Sequence, residues 1–507
     1  MKKNQTLFYG LIGLAAITAF PLMVRGGTWH PLNNQPPMPD ITDPQTGAFL
    51  CEGGAAFPIL LTDGSVIVQN VNSQQIHADG RVMKLTPDAS GSYLNGSWSQ
   101  LASMPYIPFG AAQAVLADGR VIIEGGEFTG VNLAFTLTNQ GAIYDPVTDS
   151  WTAVAPPPFF VDLYPPRALF APYPIGDSSC VVLPDGTFML QDKMSRQAAL
   201  LNLATMTWTE TGTATKFDLN DEEGWTLLPN GKVLTVDCYT DFVFGLIRHY
   251  PMDPTNSELY DPETGAWTSA GSTINSLTDR FTFEVGPAVL KPDGTVFAVG
   301  SEGFTSIYHT DTGTWSVGPR LPRGLNGHRV TAQDAPGALL PNGNVLIAGS
   351  GGPVRFHLSS APAYFFEFDG TDLIPEPATP NAAIDGAFSI NLLVLPTGEI
   401  LAADGSKDIE IYSPSVTTHN PDWEPVIVSA PSEVSPGGSY TITGIRLNGM
   451  SQASMFGYED QNATNYPLLR ITNLATNHVF YSRTHDHSSM AVASSAIVST
   501  HFDVPLN

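Results

Sequence analysis

The chain has 507 residues, with 48 acidic against 22 basic side chains and a formal charge of −26 at neutral pH. That balance excludes a nucleic-acid surface, which needs clustered lysine and arginine to meet phosphates. Only 14% of the residues are charged, whereas glycine (47), proline (42) and aromatics (10%) are plentiful, which suits short strands joined by tight turns and excludes a chain of long helices.

Residues 1–26 open with two lysines and run into an apolar stretch from Leu7 to Val24, with small residues at Ala15, Ala16 and Ala19. This is the pattern of an export signal, either cleaved after Ala19 or kept as an anchor, so the folded part is expected to be secreted or at the cell surface. Membrane contact is confined to that anchor. Three cysteines, Cys51, Cys180 and Cys238, are too few and too odd in number for a disulfide framework; Cys180 reads as inert core, while Cys51 and Cys238 lie near loops.

From residue 55 onward one unit recurs seven times: an apolar stretch, a two-residue turn that is Asp-Gly or Asn-Gly in six copies and Thr-Gly in the seventh, and a second apolar stretch. The copies begin at 55, 111, 178, 223, 286, 336 and 390; "AAQAVLADGRVIIEGG" is typical. Glycine at the turn supplies the positive φ of a tight hairpin, and the flanking Val, Ile and Leu suit strands covered on both faces. Most copies are followed by a second signature such as "AIYDPVTDSWT" (142–152), which encodes two outer strands. Four strands repeated seven times predict a seven-bladed kelch-type β-propeller over 27–420. Trp98, Trp151, Trp208, Trp267 and Trp315 fall at the start of the fourth strand in the first five units. The seventh unit lacks its own fourth strand, and "GTWHPL" (27–32) is expected to close it, placing Trp29 there and leaving no open sheet edge.

Beyond a Pro-rich connection, residues 421–507 carry short alternating strands at Ser439–Thr443, Leu468–Thr472 and Val479–Arg483. They read as an immunoglobulin-like β-sandwich, incomplete at its C-terminal end. The fold class is thus all-β. Within this region "YSRTHDHSSMAV" (481–492) forms a hairpin with Thr484, His485, Asp486 and His487 at its tip.

An exported seven-bladed kelch propeller followed by an early-set domain with a Thr-His hairpin resembles the galactose oxidase and glyoxal oxidase family of copper-radical enzymes. The resemblance implies that the hairpin carries a histidine into the central channel, to a copper held by two tyrosines and a second histidine, one tyrosine being bonded to a cysteine. His485 is the residue that carries over. With the units aligned on their turns, the crosslinking cysteine falls at Ala55, four residues from Cys51, and the radical tyrosine at Gly110. The second tyrosine and the first histidine fall at Phe388 and Ser389. These residues offer copper neither phenol, thioether nor imidazole, so copper is not expected and the resemblance extends to architecture rather than to oxidase chemistry.

The positions eight residues before each turn line the channel mouth. They include Asp177, Glu222 and Asp334, with Asp221, Glu223 and Glu284 beside them. Together with His485 and His487 these carboxylates are candidate ligands for a divalent ion, calcium or manganese if oxygen dominates and zinc if imidazole joins. The alternative is that the histidines only hydrogen-bond to the carboxylates and lock the small domain in place. Two long loops (152–176 and 238–257) bring Phe159, Phe160, Tyr164, Tyr239 and Phe242 toward the same face, where aromatic rings could stack on sugars or simply bury one another. No catalytic residue is assigned. The leading reading is an extracellular binding module for a carbohydrate or protein ligand, without copper-radical activity; the alternative is a metal-dependent enzyme with its ion between His485 and the mouth carboxylates, or a divergent copper oxidase.

Overall fold

The computed structural model describes all residues except 1–25, 73–76, 136, 161–174, 239–240, 244–246, 250–254, 280–281, 326, 352–360, 458, 461 and 507. The expected export segment therefore lies outside the described residues. No helix among the described residues is long and apolar enough to cross a membrane.

Each repeated hairpin forms the inner pair of an antiparallel meander of four strands. The first strands are Ala55–Leu60, Ala112–Val115, Cys180–Val182, Thr226–Leu227, Ala288–Leu290, Pro336–Leu339 and Asn391–Val394, and each begins one four-strand meander. We number these sheets one to seven in chain order. The turn glycines, Gly64, Gly119, Gly186, Gly231, Gly294, Gly343 and Gly398, have φ between 76° and 88°. The aspartate or asparagine before them is not left-handed. In sheet one Gly64 N–H donates to Leu61 O and Leu61 N–H to Ser65 O, so the loop is a type I turn closed by a glycine bulge rather than a turn with two left-handed residues. Asp63 stays in an ordinary conformation and accepts from Ser65 N–H at 2.9 Å, which is why an Asx residue recurs there.

The outer strands carry the tryptophans. Trp98, Trp151, Trp208, Trp267 and Trp315 pair with Leu85, Tyr144, Leu201, Tyr260 and Tyr308 on the third strands. Several indole N–H groups reach the preceding sheet: Trp151 donates to Ala102 O (3.0 Å) and Trp208 to Ala155 O (2.7 Å). Each of these half-buried indoles satisfies its N–H in this way, and the partner ties neighbouring units together. In sheet seven the fourth strand is Thr28–Pro31, paired with Glu410–Ser413 so that Trp29 opposes Tyr412, and its indole donates to Pro377 O at 2.8 Å.

The C-terminal strands Val426–Ser429, Ser439–Ile445, Ile497–Asp503, Val479–His485 and Leu469–Thr472 form, in that order, one five-stranded antiparallel sheet. Among the described residues a second, facing sheet is not present. A further strand, Ser454–Phe456, leaves this region to become the fifth strand of sheet six beside Pro336–Leu339. Sequence periodicity did not mark it, because three residues are too short to show alternation. Its burial explains its place: Met455 and Phe456 are almost fully enclosed.

Candidate functional site at the propeller mouth

The inner strands of the sheets begin at one end of the propeller and reach their Asp-Gly turns at the other. Around the starting end the backbone repeatedly takes the left-handed conformation, at Gly110 (φ 60°), Glu222 (62°), Phe283 (72°) and Asp334 (44°). Left-handed Glu, Phe and Asp cost on the order of 1 kcal/mol or more each, and such strain collects where the surrounding structure imposes a geometry for function.

Gly110 marks the middle of the cluster. A Cβ built on it would lie 3.5 Å from Glu127 Cβ, 3.7 Å from Asp177 Cβ and 3.7 Å from Glu459 Oε1. Lys193 supplies the main positive charge, its Nζ 2.5 Å from Asp177 Oδ2, 2.8 Å from Asp221 Oδ1 and 3.1 Å from Glu222 Oε1. One ammonium thus faces three carboxylates, all buried. Glu284 shares hydrogen bonds with the side chains of Glu222 and Asp334.

The predicted finger of the C-terminal region is replaced by another. Gly457 N–H donates to Ala335 O (3.1 Å) and Asp460 N–H to Ala111 O (3.1 Å), while Ala111 N–H donates back to Asp460 Oδ1 (3.3 Å). Gln113 Nε2 donates to Asn462 Oδ1 at 2.9 Å, and Asn462 Nδ2 to Leu392 O. Glu459 and Asp460 are therefore the side chains that this region inserts among the mouth carboxylates. Asp460 is also left-handed, with φ 46°.

Burial dominates the electrostatics. It pushes Glu127, Glu284 and Glu459 well above the usual carboxylate range, reinforced by the charges of neighbouring carboxylates, Asp177 first for Glu127 and Asp334 first for the other two. Asp334 and Asp460 are raised to about 8, by burial first and then by neighbouring charges that include Asp177. Burial thus favours the neutral, hydrogen-donating form at Glu127, Glu284, Asp334, Glu459 and Asp460, while Asp177, Asp221 and Glu222 face the Lys193 ammonium. Oε2 of Glu284, Oδ1 of Asp334 and Oε2 of Glu459 are buried without a hydrogen-bond partner among the described residues.

Of the residues predicted from sequence, Asp177, Glu222, Asp334, Glu284 and Asp221 come together here. His485 and His487 do not. The hairpin that carries them lies on the turn face: Thr484 N–H donates to Thr62 O, His487 N–H to Ala117 O and Met490 N–H to Pro184 O. Ala117 and Ala111 stand on the same hairpin, six residues or roughly 20 Å apart at 3.3 Å per residue, with His487 at one end and Asp460 at the other. The His485 ring meets Asp486 and Asp503 instead of Asp177, Glu222 or Asp334. His487 is buried against Thr500, and burial lowers its pKa to about 4.

Glu223 also leaves the site. It turns into sheet four, where Lys216 Nζ pairs with Glu223 Oε1 (2.8 Å), Glu258 Oε2 (2.5 Å) and Asp218 in a fully enclosed cage, so four carboxylates with Asp237 are organised by an internal ammonium. Phe160 is fully buried core, and Phe159 packs edge-on against it at 5.6 Å, so burial of one ring by the other replaces ligand contact. Tyr164 and Tyr239 fall outside the described residues, as does the side chain of Phe242. Cys238 is enclosed rather than accessible, its thiol donating to Glu222 O at 3.2 Å.

At the positions that the resemblance assigns to copper stand Ala55, Gly110, Phe388 and Ser389, and the groups around Gly110 are carboxyls, one of them paired with Lys193. That donor set does not fit a copper-radical centre, which needs phenolate and imidazole ligands.

No family model matches the sequence, and no curated protein matches it. Among solved structures, a copper-bound fungal alcohol oxidase described by its catalytic diversity within the AA5 family is similar at a TM-score of 0.50 and 15% identity, over 95% of this chain and 100% of that one. A streptogramin B lyase has a TM-score of 0.45 at 13% identity over 77% of this chain and 99% of that chain. A virginiamycin B lyase from Staphylococcus aureus in complex with quinupristin has a TM-score of 0.47 at 10% identity, over 76% and 99%. The chain thus has an all-β, galactose-oxidase-like fold.

Proposed function

We propose that this protein is an exported binding module built on the galactose-oxidase-like fold, that it performs no copper-radical oxidation, and that its ligand is a hydroxyl-rich extracellular molecule of the carbohydrate class held at the carboxyl-lined mouth. The observation that carries this reading is the packing of buried carboxyl groups around Gly110, three of them on Lys193 and others, Asp334 and Asp460 among them, that burial favours in the neutral form. Neutral carboxyls at Asp334 and Asp460 donate hydrogen bonds, and the carboxylates around Lys193 accept them. A sugar hydroxyl does both, so it satisfies buried oxygens on either side. The rigid propeller fixes these groups, and the loops above them set which ligand enters.

A second reading is favoured by the oxygens of Glu284, Asp334 and Glu459 that have no hydrogen-bond partner among the described residues: a hard divalent cation such as calcium or manganese would draw on oxygen donors alone, with His485 taking no part. One experiment separates the readings. The full exported chain is screened on a glycan array with and without chelator, and copper-loaded protein is assayed for hydrogen peroxide from alcohols, aldehydes and galactose. Glycan binding that survives chelation, is lost in Glu459→Gln, and comes without peroxide supports the module. Binding that requires added calcium supports the cation reading, and peroxide release from copper-loaded protein overturns both.

A further inference from the structure

On the turn face, away from the mouth, the two edges of the C-terminal hairpin bring imidazoles side by side. His485 and His501 are direct cross-strand partners in the antiparallel pair Val479–His485 and Ile497–Asp503, so their side chains leave the same face of the sheet. Their rings stack with centroids 5.6 Å apart. Asp486, the next residue after His485, takes a left-handed conformation (φ 49°) that folds its carboxylate back over the pair. Oδ2 of Asp486 lies 2.7 Å from His485 Nδ1 and 3.9 Å from His501 Nδ1.

We propose that His485 Nδ1, His501 Nδ1 and Asp486 form a binding site for a single zinc ion. Tetrahedral zinc with bonds of about 2.0–2.1 Å places its donors roughly 3.3 Å apart, a value that the two observed spacings bracket. One donor atom from each of the three side chains lies within 4.8 Å of the others. Two imidazoles with one carboxylate select a borderline ion rather than calcium or magnesium.

The surroundings are those of a metal-ligating histidine. When Nδ1 of His485 binds metal, Nε2 must carry the proton, and Asp503 Oδ1 lies 3.3 Å from Nε2 to accept it. Asp503 is itself fixed by Arg483 Nη1 at 3.0 Å. The backbone is held as well: Thr500 Oγ1 donates to His485 O at 3.1 Å. Asp486 and His501 are about half-exposed, which gives the ion an entry path and leaves its fourth position to water. The ion would pin the hairpin where Arg483 Nη2 and His487 N–H contact Asp118 O and Ala117 O of sheet two.

The test uses the full folded chain titrated with zinc chloride against a chromophoric chelator, with calcium chloride as control. The expected result is one zinc per chain at a micromolar dissociation constant, no competition by calcium, and a rise in Tm on adding zinc. His501→Ala and Asp486→Asn should each weaken binding by at least about tenfold, and Asp503→Asn by about 10–100-fold through loss of ring orientation. Both His501 and Asp486 are exposed enough for these variants to fold, and asparagine tolerates the left-handed backbone. Absence of binding at about 100 µM zinc, or unchanged affinity in both His501→Ala and Asp486→Asn, would overturn the assignment.

Discussion

Replacing Asp334 by asparagine should stabilise the protein, and the gain should grow with pH. The side chain is nearly enclosed, and its φ of 44° is one that asparagine accepts, so the variant keeps the backbone and the Asp334 N–H bond to Val285 O. Burial, with the charges of Glu222 and Asp177, raises its carboxyl to about 8 from an ordinary 3.8. Because the folded pKa is raised, the stability contribution is fully present below about 4 and is lost as pH rises through about 8: over that window the folded state holds a proton that the unfolded chain has released. The loss approaches about 1.4 kcal/mol per pH unit for an independent group. Between pH 5 and pH 8 this sets a ceiling of about 4 kcal/mol, and sharing with Glu284 reduces it to a working value of about 2 kcal/mol. Asparagine, which does not titrate, escapes the penalty. Urea denaturation of both proteins at pH 5, 6, 7 and 8 measures the difference directly. A difference that stays flat across these pH values, or a variant less stable than the parent at pH 8, refutes the claim that the mouth is held protonated against its solution preference.

Two further substitutions test the frame around the site. Lys193→Met should cost about 3–5 kcal/mol at neutral pH, because it leaves the buried Asp177, Asp221 and Glu222 uncompensated, and the loss measured by denaturation should shrink at pH 5, where these groups can be neutralised by protons. Trp29→Ala removes a ring packed against Phe365 (5.2 Å) and Tyr412 (5.0 Å) in the strand that completes sheet seven; a loss of about 3–5 kcal/mol is expected in the same assay, and a loss below 1 kcal/mol would mean that this strand does not hold the ring closed.

The repeated sheets were legible because their signal is local and redundant. Six of the seven units state their turn with an Asx-Gly pair, the seventh with Thr397-Gly398, all state their strands with apolar runs, and an error in one unit is corrected by the other copies. Counting back eight residues from each turn reached Asp177, Glu222 and Asp334, since the path from mouth to turn keeps its length even where the hydrogen-bonded part of the first strand shortens to two residues, as at Thr226–Leu227. Counting forward would have reached more. In sheet three Cys180 opposes Leu190, and extending that register by three residues on each strand sets Asp177 against Lys193, so the main cation of the site was within reach of the same arithmetic. The choice of finger was not. Residues 457–462 and 484–487 are both short polar excursions, and periodicity does not say which end of the propeller each one meets. That is decided by backbone hydrogen bonds to Ala111 and to Ala117, formed only once the sheets exist.

The two lysine-centred clusters show why acidity alone does not mark a functional surface. Around Lys216 the carboxylates of Asp218, Glu223 and Glu258 all reach one ammonium, and the cage is closed inside sheet four. Around Lys193 three carboxylates are matched, but Glu284, Asp334 and Glu459 project buried oxygens beyond it, and Glu222, Asp334 and Asp460 sit on left-handed backbone. A purely structural core would gain from replacing such groups by neutral ones, as the asparagine at 334 should demonstrate. If the variant gains stability and loses ligand binding together, the excess carboxyls belong to recognition. If binding persists, the ligand lies on the loops and the cluster only seats the finger carrying Glu459 and Asp460.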